Sequence, residues 1–245
     1  MKRLLFLAVL LLLATACAST KDTQSKTAEE YLLEGERYFE NGQYQQAIAS
    51  WEKVRETFYS PELNVLAELK IAEAHFLAKD YVEAAAAYED FIKQHPDHER
   101  TPQVLFQLGM SYYNQILSAD RDQTATRNAL VTFESLVKRF PADPKKPEAQ
   151  VLIARCRDRL AEHELQVGHF YLRTGAYQAA INRLQGVFSL YPDYSHRDRV
   201  YFYLGQAYLK IGERQQAAAA FNTLFNEFPQ SEYIKEAQNI AGKLD

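Results

Sequence analysis

Two cysteines, Cys17 and Cys156, are all that the 245 residues contain. That is too few for a disulfide framework, and if Cys17 is a thioether no intramolecular bridge can form. A chain of this length buries a core without such staples. A basic surplus is missing as well: 28 lysines and arginines stand against 32 acidic residues. That balance argues against nucleic acid as a partner, and against adhesion to anionic lipid through a basic face. There is no alternating strand pattern, no phosphate loop, no zinc spacing and no dinucleotide-binding fingerprint. The one long apolar run, Leu4 to Leu13, is ten residues. As a helix it covers only ~15 Å, about half a bilayer's hydrocarbon core.

What that run does have is the right flanks. Lys2 and Arg3 precede it, and Ala14, Thr15 and Ala16 lead to Cys17. The pattern of a secretory signal ending on a cysteine resembles a bacterial lipobox. The resemblance implies that residues 1–16 are removed and that the Cys17 thiol carries a diacylglycerol. Ala14 departs from it, since leucine is usual three residues before the cysteine and here Leu13 stands one place earlier. An ordinary secretory signal with an incidental cysteine is the alternative. Ala18, where aspartate would mark inner-membrane retention, favours the outer membrane. Without Lys2 and Arg3 the mature chain has 26 basic and 32 acidic residues, a net charge of −6. Membrane attachment then rests on the lipid, and several acyl chains hold where one is marginal. Residues 17–27 read as a lipidated, flexible tether, with the polar "ASTKDTQSKT" reaching at most ~35 Å.

The remainder repeats itself. Gly35, Ala72, Gly109, Gly168 and Gly205 align, and three residues after each stands Tyr38, His75, Tyr112, Tyr171 or Tyr208. Twelve on come Ala47, Ala84, Ala180 and Ala217, and sixteen on Trp51, Tyr88, Leu184 and Phe221. Pro96, Pro192 and Pro229 follow at twenty-four; the third unit shows Ala129, Phe133 and Pro141 displaced by eight. This resembles the tetratricopeptide repeat. Small residues let two helices approach, the ring one turn on fills the adjoining space, and proline stops the second helix. Gly42, Gly175 and Gly212 sit where the first helix of a pair ends in a left-handed residue. In the second unit Asp80 and Glu83 predict a capping box instead. Ser60-Pro61 and Thr101-Pro102 read as N-cap and N1 pairs. The expected fold is all-α, a superhelical solenoid of five helix pairs closed by a final helix from about Ser231.

Two interruptions individualise it. The small residues are spaced 37, 37, 59 and 37 apart, so the third interval holds 22 extra residues. Eight fall around "SADRDQTA" and fourteen between Pro141 and Gly168. Fourteen residues are nearly four turns, which preserves the face a helix presents, so Pro147–Thr174 is expected as one helix of about 28 residues. The stretches "RDRLAEHELQVGHFYLRTGAYQAAINRL" and "DRDQTATRNALVTFESLVKRFP" resemble the long helix and the Asp-Arg-Asp insertion of the BamD-type (ComL) lipoproteins. The resemblance implies a subunit of the outer-membrane β-barrel assembly machinery. Its partners would be the barrel-forming subunit, other assembly lipoproteins and unfolded β-barrel clients, with the membrane held through the N-terminal lipid.

Two regions follow from this. In residues 28–141, the first three units, the ligand-facing positions of the repeat include Phe39, Leu69, Phe76, Phe106, Met110 and Tyr113. A face so lined suits an extended apolar-aromatic client peptide, although several of these side chains also fit an inter-helix core. In residues 142–245 the same positions turn polar and partly basic, with Glu162, His169, Arg173 and Arg199. The resemblance implies a docking contact at Arg183; Arg173, Asp120 and Arg121 are further docking candidates. Ala180 and Leu184 face inward, which puts Arg183 on the outer side of its helix. Without the family match, a solvated charge is the plainer reading of that arginine.

No catalytic constellation assembles. Ser195, His196 and Asp198 are too close in sequence to form a triad, and His163 and His169 are poorly spaced for one metal on a helix. Cys156 reads as a buried structural thiol. No cofactor or metal is called for, and a non-enzyme is expected. A tetratricopeptide pilotin or envelope scaffold keeps the fold and changes the task.

Overall fold

The computed structural model describes residues 26–242; Cys17, the targeting segment and most of the tether lie outside them. Among the described residues there are eleven helices and no strand. They are α1 (Ala28–Glu40), α2 (Tyr44–Thr57), α3 (Pro61–Leu77), α4 (Tyr81–Gln94), α5 (Thr101–Tyr113), α6 (Thr124–Arg139), α7 (Lys146–Arg173), α8 (Tyr177–Leu190), α9 (Arg197–Lys210), α10 (Arg214–Glu227) and α11 (Ile234–Ala241). Five helix pairs and a closing helix are present, in an all-α tetratricopeptide architecture. By packing, the chain divides into two compact units, one up to Ala67 and one from Glu68.

In the first unit, α1 begins with a full capping box: Thr27 accepts from the Glu30 amide, and Glu30 reaches back to the Thr27 amide. That satisfies two donors the helix start would leave open. Helices α1 and α2 then close on Gly35, where an added Cβ would lie within 3 Å of the buried Trp51 ring. The Trp51 indole donates to the Leu32 carbonyl at 3.2 Å.

The second unit repeats this contact. Gly109 meets Phe133, Gly168 meets Leu184 and Gly205 meets Phe221, each too closely for a side chain on the glycine. The residue before each helix-stopping proline is His95, Phe140, Tyr191 or Phe228, with φ from −128° to −134° and ψ from 55° to 66°. Proline excludes its predecessor from the helical region, which fixes these four ends alike.

Entry into the second helix of a pair is equally regular. Gly42, Gly175 and Gly212 have φ of 72°, 84° and 83°, and Lys79 takes the same place with φ 66°. The following residues, Gln43, Asp80, Ala176 and Glu213, have ψ between 61° and 68°. Thr27, which does cap, has ψ 167°. The capping box expected at Asp80 is therefore not formed; Asp80 makes no side-chain cap bond, and its carboxylate lies 3.9 Å from His75. At the next helix Thr101 is the first helical residue and not its cap, and its hydroxyl donates backward to the His98 carbonyl at 2.6 Å. The closing helix starts at Ile234, three residues later than expected.

Helix α7 has the expected 28 residues. Its first half completes the core of α5 and α6, where Ala149, Leu152 and Cys156 pack with Phe106, Phe133 and Leu136. Its second half builds the next core, with Ala161, Leu165 and Leu172 against Ile181, Leu184 and Val200. One helix thus serves two successive helix pairs, its buried stripe moving round the helix between Cys156 and Ala161.

Candidate interaction surfaces

The apolar-aromatic face of the second unit is carried by α3 and α5. Leu69 and Glu73 of α3 line a small cavity with Gln103 and Gln107 of α5, so the two helices present neighbouring rows. Phe76 is half-buried and meets the Tyr81 ring edge-on at 5.5 Å. Met110 and Tyr113 are also half-buried. Tyr113 opens onto a cleft of about 560 Å³ whose other walls include Ile116, Arg155, Arg159 and Tyr194. Phe106 is different: at 7% exposure it belongs to the core against Phe133, with Lys145 over its ring. Its expected place on an open face is corrected to an interior one. Phe39 belongs to the first unit, where it packs on Tyr44 and Trp51 at 5.6 Å each.

Two of the charged positions, Glu162 of α7 and Arg199 of α9, are engaged with each other. Glu162 accepts from Arg199 at 3.0 and 3.1 Å, from Gln166 at 3.2 Å, and from the Tyr194 hydroxyl. Burial and this carboxylate push the Tyr194 phenol far above its usual range. Leu165 and Leu172 of α7 and Phe202 of α9 are buried. Part of the polarity read from the sequence is thus internal pairing, of Glu162 with Arg199.

The docking candidates stand at three places. Arg183 on α8 donates from one guanidinium nitrogen to both oxygens of Glu164, at 2.9 and 3.2 Å. Its side chain is 47% exposed, on the outer side of the helix. Arg173 is exposed in the last turn of α7, where a cation complements the helix dipole. Beside it His169 stacks on Tyr203 at 4.3 Å, and burial together with Arg173 and Arg199 pulls its pKa down. Asp120 and Arg121 are exposed on the loop between α5 and α6.

That loop is held rigidly. The His163 ring nitrogen Nδ1 bonds the Ala119 carbonyl at 2.6 Å. Gln123, 1% exposed, donates to the carbonyls of Ser118 and Arg121 and accepts from Thr126. Asp122 accepts from the Thr124 amide and hydroxyl, which holds its carboxyl below the usual range.

A family model described as YfiO, outer membrane lipoprotein, matches residues 24–220. The chain belongs to this outer membrane lipoprotein family. Among its curated relatives, the outer membrane protein assembly factor BamD of Neisseria meningitidis serogroup A is 29% identical over 254 residues, covering 97% of this chain and 95% of that one. The protein of the same name from Pasteurella multocida is 27% identical, covering 89% of this chain and 88% of that one. Among solved structures, the TPR2AB-domain:pHSP90-complex of yeast Sti1 is similar at TM-score 0.43 and 16% identity, covering 88% and 84% of the two chains.

For this YfiO-family chain, the residues that sequence reasoning missed are His163, Gln123 and Glu164. Two of them act on partners chosen by the fold, His163 on a carbonyl 44 residues earlier and Glu164 on a guanidinium nineteen residues later, while Gln123 bonds within five residues of itself. Cys156 is where a structural thiol was expected, fully buried, and burial pushes its pKa up to about 12. Among the described residues no helix is long and apolar enough to cross a membrane.

Proposed function

We propose that this chain is a non-catalytic, lipid-anchored assembly factor at the periplasmic face of the outer membrane. In this reading Cys17 carries the lipid and residues 17–27 are the tether. Residues 28–141 receive unfolded β-barrel clients, and residues 142–245 dock on the barrel-forming subunit beside other assembly lipoproteins. The observation that carries it is the family match over residues 24–220, whose curated relatives are named outer membrane protein assembly factors. The surfaces support the division of labour. Leu69, Phe76, Met110 and Tyr113 offer half-buried apolar and aromatic groups to an extended peptide, while Arg183, Arg173, Asp120 and Arg121 offer exposed charge on rigid supports.

The test is affinity purification of the tagged lipoprotein from detergent-solubilised envelopes, followed by mass spectrometry. The barrel-forming subunit should co-purify in comparable amount, and Cys17→Ser should leave an uncut or soluble protein. Recovery of a secretin or of cell-wall synthases in its place would overturn the assignment in favour of a pilotin or an envelope scaffold.

A further inference from the structure

We infer that the first half of α7 builds an additional docking site, which takes a bulky apolar side chain and an adjoining basic residue from a partner protein. The fourteen residues that lengthen this helix produce a cleft of about 600 Å³ between α6, α7 and the end of α8. Its apolar lining is Val137 from α6, Ile153 and Ala154 from α7, and Leu190, Tyr191 and Pro192 from the α8 terminus. Leu190 stands 63% exposed at the lip. The volume lies in the range of small-ligand pockets, enough for one aromatic or large aliphatic side chain with its backbone. Such anchors in a concave apolar seat supply most of the energy of a typical protein contact.

Charge selects the neighbour of that anchor. Glu134 and Arg157 bridge α6 and α7 at 2.6 Å along one edge and neutralise each other. Asp158 and Asp193 remain on the lining, against Lys138 alone. The surplus is negative, so a cation beside the anchor is favoured and a carboxylate is repelled. A partner segment with Phe-Lys or Leu-Arg at its centre fits both requirements. The cleft adjoins the one onto which Tyr113 opens, sharing Asp158 and Tyr194 with it, but its apolar seat of Val137, Ile153, Ala154 and Leu190 is its own.

The full-length lipoprotein in detergent micelles can be titrated with fluorescein-labelled twelve-residue peptides of serine and glycine carrying Phe-Lys, Phe-Glu or Ser-Lys at the centre. Saturable binding of the Phe-Lys peptide is expected, at least tenfold tighter than either of the others. Ala154→Trp, at an exposed lining position, should fill the cleft and abolish it, with the melting curve unchanged. Should Ala154→Trp misfold, Leu190→Lys at the exposed lip serves as the second variant and should weaken binding at least threefold. Equal binding of the Phe-Lys and Phe-Glu peptides, no saturable binding, or binding indifferent to both substitutions would overturn the inference. So would a dimer in sedimentation that Ala154→Trp dissociates, since a second copy would then be the occupant.

Discussion

Arg183 and Glu164 join α8 to α7 through a single guanidinium nitrogen shared by both carboxylate oxygens. The pair holds the side chain in place while most of its planar fork stays unused, and the arginine remains 47% exposed. A partner's carboxylate could engage the remaining donors without dismantling the pair. Arg183→Ala is therefore expected to weaken docking on the barrel-forming subunit by ~2–5 kcal/mol if the contact is desolvated. Because the internal pair is solvent-exposed, its loss should cost folding ~1 kcal/mol or less. Lysine should rescue only in part, since it keeps the charge and loses the fork. Calorimetric titration of the two partners checks this, and docking of the alanine variant equal to wild type would remove Arg183 from the interface.

Two phenylalanines of the client region should behave oppositely. Phe76 is half-buried, so Phe76→Glu together with Met110→Glu should weaken binding of peptides ending in an aromatic strand motif while helicity is kept. Phe106 is interior, so Phe106→Ala should cost ~3–5 kcal/mol of stability through the cavity it leaves. Circular dichroism melts run beside peptide titrations separate the two effects. A Phe106→Ala variant as stable as wild type would contradict its burial.

Lys79 holds a left-handed backbone, φ 66°, at the position where three other pairs use glycine. A residue with a Cβ is strained there by ~1–2 kcal/mol. Part of that is offset because glycine gives the unfolded chain more freedom. Lys79→Gly is thus expected to raise the urea midpoint, by up to ~1 kcal/mol in unfolding free energy. A lower midpoint would mean that the Lys79 side chain contributes more than its backbone costs.

The Cys156 thiol gives a pH dependence with a definite sign. Its pKa in the fold is raised by burial to about 12, from an ordinary value of 9.0. A group whose folded pKa is raised contributes stability that is whole below the unfolded pKa and is lost as pH climbs toward the folded one. Wild type should therefore lose stability relative to Cys156→Ala between about pH 9 and 12. Parallel denaturation curves across that window would show that the thiolate is tolerated in the core. At neutral pH the native thiol should resist thiol reagents that label it quickly after unfolding.

Much of this molecule is written in local spacing. Gly35 with Trp51 and Gly205 with Phe221 are sixteen residues apart because a helix, a turn and a helix return the chain to that distance, and the contacts form there. The 28-residue α7 follows from an insertion of nearly whole turns. These features are legible because helical periodicity is a property of neighbours along the chain. The partners of charged and half-apolar side chains are not. Sequence offers Glu162 and Arg199 to a ligand; the stacking of α9 on α7 gives them to each other. Phe106 occupies a ligand-facing position of the repeat, yet Phe133 and Lys145 close over it. The capping box at Asp80 fails because every such turn enters its helix at ψ near 65°, too far from the extended backbone that Thr27 uses to cap. Helix identity and length are decided by residues within a few turns of one another. Which side chains remain open to a partner is decided only when helices 20 to 40 residues apart come to lie side by side, because burial and ion pairing depend on that neighbour and on nothing local.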